Sequence, residues 1–132
     1  MRVLPALAAL LTLAAAQAPS TASILGRWTN PKGGVTVAIA PCGAALCGTV
    51  VAASEKAKAD ARKGGTTELI GATLLSNVVP DGKGQWKSEI FVPDLNIRTQ
   101  AQLVQIAPDQ IKVKGCAAGG LICKSQIWTR VS

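Results

Sequence analysis

A chain of 132 residues has room for one domain with one core. Its 14 basic residues against 7 acidic ones leave a formal net charge of +7, only 3% of residues are aromatic, and there is no histidine. Too few rings to stack on bases argue against a nucleic-acid site, and the missing histidine removes the usual general base of nucleophilic catalysis and the commonest metal ligand.

The first residues read as an address. Met1-Arg2 gives a positive start, residues 3–15 are almost continuously apolar, and small residues follow, which is the pattern of a signal peptide. Two cleavage points fit, after Ala16 and after Ala18; the first is preferred because the second leaves Pro19 next to the cut. The expected organisation is a signal peptide over 1–16, an N-terminal extension over 17–23, and a single β-barrel domain over 24–132. The apolar stretch is shorter than the roughly 20 residues of a membrane-crossing helix, and no second one exists, so no membrane span is expected. The first cysteine is Cys42, too late for a lipid anchor at the cleavage point. The expected location is periplasmic or secreted, and the expected state a monomer.

Past the leader, apolar residues recur with period two in short runs separated by Gly, Pro, Asn and Asp, the pattern of half-buried strands. Eight runs stand out: residues 24–29, 35–40, 46–53, 69–77, 85–92, 97–106, 110–115 and 122–131. Asn30-Pro31-Lys32-Gly33-Gly34 and Pro80-Asp81-Gly82-Lys83-Gly84 supply the backbone freedom of tight reversals, and Pro108-Asp109 does so before the seventh run. The connection 54–67 is long, charged and alanine-rich. A short helix over 55–62 is expected there, stopped by Gly64-Gly65. The cluster of lysines from Lys56 to Lys63 sits in this segment but is interrupted by Asp60 and preceded by Glu55, so it reads as a solvated surface.

Alternation gives each strand one wet face: Val37 and Ile39 oppose the intervening residues of the second run, and Trp86, Ile90 and Val92 oppose Lys87 and Glu89 in the fifth. The fold class expected is all-β, a small closed or nearly closed eight-stranded antiparallel up-and-down barrel, which removes exposed edges. A β-sandwich is the alternative.

Four cysteines in a signal-bearing chain point to two disulfides, with three connectivities open. Cys42 and Cys47 are five apart, with Pro41 before them and Gly43 between them, and Cys116 and Cys123 are seven apart around Gly119-Gly120, so local pairing within each hairpin is favoured. Neither pair has the two-residue spacing of zinc ligation. No metal and no cofactor is expected.

In an antiparallel barrel the first and last strands are neighbours. Trp28, two residues after Gly26, and Arg130, near the end of the last run, would then meet, with the guanidinium over the ring in a cation–π contact worth about 0.5–2 kcal/mol. Gly26, Trp28 and Arg130 form a candidate structural latch that resembles the Gly-x-Trp and closing-strand arginine of lipocalin and wider calycin barrels. A broader resemblance runs through Gly26-Arg27-Trp28, Val37-Ala38-Ile39-Ala40-Pro41-Cys42, Leu46-Cys47-Gly48, Leu69-Ile70-Gly71 and Gly84-Gln85-Trp86. It continues with Ile90-Phe91-Val92-Pro93-Asp94, Val113-Lys114-Gly115-Cys116 and Gln126-Ile127-Trp128-Thr129-Arg130. In this order these segments are similar to a bacterial family of exported proteins, domain of unknown function 2147. That resemblance implies a periplasmic or secreted calycin-like barrel with no established activity. Members commonly carry tyrosine in place of Phe91, so a hydroxyl that would orient a ligand is missing, and glycine in place of Cys123, so the second disulfide is particular to this branch.

Catalytic constellations are sparse. Glu89 and Asp94, five residues apart, would lie about 16 Å apart on an extended chain, beyond the ~5–9.5 Å of a glycosidase pair. The leading reading is a non-enzymatic envelope protein that binds a small apolar or amphipathic molecule, with Val37, Ile39, Trp86, Ile90, Val92, Leu103 and Ile127 as candidate lining or as plain core. The alternative is a structural or interaction module that docks on another envelope protein through its basic surface or the 54–67 loop.

Overall fold

The structure, a computed structural model, describes residues 24–120 and 122–131; the expected signal peptide and extension lie outside the described residues. Eight strands form: β1 (Gly26–Thr29), β2 (Val35–Cys42), β3 (Ala45–Ala53), β4 (Thr73–Pro80), β5 (Gln85–Val92), β6 (Ile97–Ala107), β7 (Gln110–Ala117) and β8 (Ile122–Arg130). One helix, α1 (Glu55–Lys63), lies between β3 and β4. Each strand pairs antiparallel with the next, and β8 returns to β1, so the sheet closes as an up-and-down barrel rather than splitting into a sandwich.

Period-two patterning locates seven strands within a few residues and misplaces the fourth. The expected run over 69–77 begins instead at Thr73 and continues to Pro80. Leu69 is buried, but as a turn residue: its carbonyl accepts from Ala72 N, and Gly71, at φ 93, turns the chain while its N–H reaches Val50 O. Within β4, Leu74 and Leu75 are both buried, and Asn77 adopts φ 52 where the register to β5 slips. A bulge of this kind breaks alternation, so the pattern that marks the other strands is lost there.

The two ends of the barrel differ. At the first lie the start of β1, the end of β8 and the β2–β3, β4–β5 and β6–β7 turns. Here the interior is filled by Ile24, Trp28, Ile39, Trp86, Leu103 and Ile111, all at most 2% exposed. Each such side chain contributes about 1.5–3 kcal/mol relative to exposure. At the second end lie the β1–β2, β5–β6 and β7–β8 turns and α1. The helix is capped by Ser54, whose Oγ accepts from Ala57 N at 3.1 Å, and it buries Ala61 in the core. Two close approaches seat it. A Cβ on Gly34 would touch Ser54 and Ala57, and one on Gly64 would overlap the backbone carbonyl of Asp94. Thr66 Oγ1 donates to Pro93 O at 2.9 Å. Among the described residues the helix therefore lies between the β1–β2 turn and the β5–β6 turn, and these seating contacts do not include the β7–β8 turn.

Both disulfides lie on the outer face at hairpins, Cys42–Cys47 at the β2–β3 turn and Cys116–Cys123 at the β7–β8 turn, with Cα–Cα distances of 5.5 and 4.1 Å. Local pairing, the favoured one of the three connectivities, is the one present.

Candidate functional site

Trp28 is fully buried, and its Nε1 donates to Ile24 O at 2.9 Å. It stands directly opposite Arg130 in the β1–β8 register. The Arg130 Cζ sits 4.3 Å from the indole centroid, Nη1 donates to Leu25 O at 2.6 Å and Nε to Pro108 O at 3.1 Å. These contacts tie the last strand to the segment before the first. With Nη1 and Nε both donating to backbone carbonyls, the arrangement braces the filled end.

Closure is short. β1 meets β8 only through Trp28↔Arg130 and Thr29↔Thr129, whereas β8 runs back to Ile122. Among the described residues, one edge of β8 beyond the β1–β2 turn therefore has no partner strand, which leaves a slot in the sheet at the second end. Residues 122–127 are accordingly all exposed.

Register identifies what faces the slot, because directly opposed residues in antiparallel strands share a face. Three rows cross β5 to β8. The deepest is Trp86, Leu103, Val113 and Gln126; the next is Ser88, Ala101, Gly115 and Lys124; outermost lie the pairs Ile90 with Thr99 and Ala117 with Ile122, one step past the last paired residues of β6 and β7. Val92 and Ile97 stand at the rim. The inward direction of the middle row is fixed at Gly115, where a Cβ would meet Ile90 Cγ2 at 3.5 Å and Thr99 Cγ2 at 3.9 Å. Trp86 and Leu103 are buried, whereas Ile90, Val92, Thr99, Gly115 and Ala117 are half-buried, and Ile97 and Ile122 are 38% and 58% exposed. The interior thus passes from filled to uncovered along four strands.

Two polar features lie in this wall. Ser88, 3% exposed, has its Oγ 2.9 Å from Ser76 O and from Glu89 O. Trp86 Nε1 is buried and has no hydrogen-bond partner among the described residues. A buried donor without an acceptor costs about 1–3 kcal/mol.

The candidate lining residues fall into three groups. Val37, Ile39, Trp86 and Leu103 are packed into the filled end, and Ile90 and Val92 lie at the uncovered end. Ile127 joins neither. It is opposite Lys112 on the outer face, because Trp128, its neighbour, is the inward residue and packs opposite Ile111. Thr99, Gly115, Ala117, Ile122 and Lys124 were not among the expected residues. The expected Cys116–Cys123 bond carried the missing signal, since it places Gly115 opposite Lys124 and Ala117 opposite Ile122.

The family described as uncharacterised proteins conserved in bacteria, domain of unknown function 2147, matches residues 26–130. This chain belongs to that family. A comparison with curated proteins finds no match. Among solved structures, the chain is similar to HP1028 from Helicobacter pylori, described as belonging to the lipocalin family. The TM-score is 0.62 at 12% identity, over 83% of each chain, and this likeness shows a shared lipocalin-like barrel.

The departure of this family member at Phe91 does not reach the interior. Phe91 is on the outer face, opposite Arg98, whose Cζ lies 4.7 Å from the ring centroid. Glu89 also faces out, 4.0 Å from Arg98, and Asp94 lies in the β5–β6 turn beside Gly64. Among the described residues no three metal-binding side chains gather, and no helix is long and apolar enough to cross a membrane. The lysine cluster on α1 is partly neutralised within the helix by Lys56–Asp60 at 2.9 Å and Lys58–Glu55 at 3.0 Å. A shallow depression of about 710 Å³ at the filled end is lined by Gly84, Gln105, Ile106, Ala107, Pro108 and Arg130. It lies outside the barrel, and Arg130 there is engaged by the latch.

Proposed function

We propose that this chain is an exported, non-enzymatic binding protein that takes a small apolar or amphipathic molecule at the uncovered end of its barrel. The observation that carries the reading is the inward-facing apolar wall of Ile90, Val92, Ile97 and Ile122, the first two half-buried and the last two 38% and 58% exposed, where the other end is filled. A contiguous exposed apolar patch marks binding sites more often than singly scattered exposure does. Small side chains at Ser88, Ala101, Gly115 and Ala117 keep the wall low beneath that rim. Eight-stranded barrels of this size either fill or hold one small ligand; this one does each at a different end. Export is supported by the leader pattern and by two disulfides, which persist in oxidising compartments.

The test is purification of the protein from the periplasm under native conditions, followed by solvent extraction and mass spectrometry, with a thermal-shift panel of fatty acids on the delipidated protein. A copurifying amphiphile, or a rise in melting temperature with chain length, is the expected result. No extractable molecule and no shift, with crosslinking in cells capturing a defined protein partner, would replace this reading with the interaction-module one.

A further inference from the structure

Lys124 is placed where a structural barrel has no use for a charge. It lies in the middle row with Ser88, Ala101 and Gly115, on the face that looks into the barrel. The neighbouring lysines of β7 do the opposite: Lys112 and Lys114 alternate with the buried Ile111 and Val113 and point outward. Across the inward positions of β5 to β8 from the Trp86 row to the rim, Lys124 is the one charged residue among those described, and no carboxylate joins it. Its side chain is exposed at the slot beside β8. A lysine in this position lays its aliphatic stem on apolar neighbours and keeps its ammonium at the water boundary. The uncovered end is therefore an apolar wall with a single fixed cation at its edge.

We propose that this end selects single-chain amphiphiles with an anionic head, the head paired with Lys124 and the tail laid along Ile90, Val92, Ile97 and Ile122. This rests on the reading of the uncovered end as the ligand site and adds the class of ligand. A neutral head leaves the ammonium with water alone, and a cationic head is repelled. The competing role for a lysine on an unpaired strand edge is to prevent edge-to-edge association. That role makes no distinction between ligands.

Isothermal titration calorimetry separates these possibilities, with the full-length mature protein and three probes kept below their micelle concentrations: dodecanoate, dodecanol and dodecyltrimethylammonium. The expected order is dodecanoate tightest, then dodecanol, then the trimethylammonium, with a gap of about fivefold between the first two at low salt, the size of a water-accessible ion pair. Added salt narrows the gap. Lys124→Gln brings dodecanoate down to the affinity of dodecanol and leaves dodecanol unchanged, whereas the outward Lys114→Gln preserves the wild-type order. Equal binding of the first two probes by the wild type, or a dodecanoate preference that survives Lys124→Gln, overturns the inference while leaving the ligand site intact. Self-association of Lys124→Gln with that preference retained assigns the lysine to edge protection. Absence of binding by all three probes overturns both the inference and the reading beneath it.

Discussion

Replacing Arg130 with methionine removes its charge while keeping an unbranched apolar stem over the Trp28 ring. The cation–π contact, 4.3 Å to a ring that is fully buried, is worth about 1 kcal/mol. The Nη1 bond to Leu25 O at 2.6 Å is part-buried and has a charged donor, adding about 1.5 kcal/mol. The Nε bond to Pro108 O is exposed and adds little. A loss of about 2.5 kcal/mol lowers the melting temperature of a domain of this size by roughly 10 °C. Far-UV circular dichroism with the disulfides intact measures it. A double-mutant cycle with Trp28→Leu isolates the pair, because Leu has no ring and the Trp28 bond to Ile24 O is lost with or without Arg130; the coupling expected is about 0.5–2 kcal/mol. A midpoint within about 3 °C of the parent, or zero coupling, would refute the latch.

Gly64→Ala faces no backbone penalty, since Gly64 is at φ −83, but its methyl meets the Asp94 carbonyl. It is expected to cost about 1–3 kcal/mol and to speed amide exchange in the β5–β6 turn. Gly48→Ala would place a Cβ 3.0 Å from Val37 Cγ1 and 3.1 Å from Leu75 Cδ1, so urea unfolding should show a loss of about 1–3 kcal/mol. Removing either disulfide by a double Cys→Ala exchange should cost about 2 kcal/mol, the loop-closure value for so short a loop. The hydrogen bond from Lys56 holds the Asp60 carboxyl below its ordinary value of 3.8. A depressed carboxylate stabilises the fold above the unfolded value, and that contribution disappears as pH falls through the folded one. NMR titration should place the Asp60 midpoint below 3.8, and Lys56→Gln should raise it.

Strand existence, chain order and barrel closure were legible because period-two patterning and turn residues act locally. The neighbourhood of Trp28 and Arg130 follows from chain order alone, since the first and last strands of a closed meander must adjoin. β4 resisted the same reading, because the bulge at Asn77 and the buried turn residue Leu69 break the link between hydrophobicity and strand. The site was harder. Alternation tells inside from outside, and so placed Val37, Ile39, Trp86, Ile90, Val92 and Leu103 inward, but it does not tell which end is filled. That depends on how far β1 reaches along β8, and a four-residue strand against a nine-residue one carries no sequence mark. Ile127 was misplaced because β8 holds apolar residues on both faces, and the paired cysteines, which fix its register, point to Trp128 as the inward one.

The most direct test of a ligand site at the uncovered end is a ¹⁵N amide chemical-shift titration with dodecanoate. Shifts should concentrate at Ile90, Val92, Ile97, Thr99, Gly115 and Ile122 and leave the filled end unmoved. Shifts confined to Gly84 and to residues 105–108, or none at saturating probe, would contradict it.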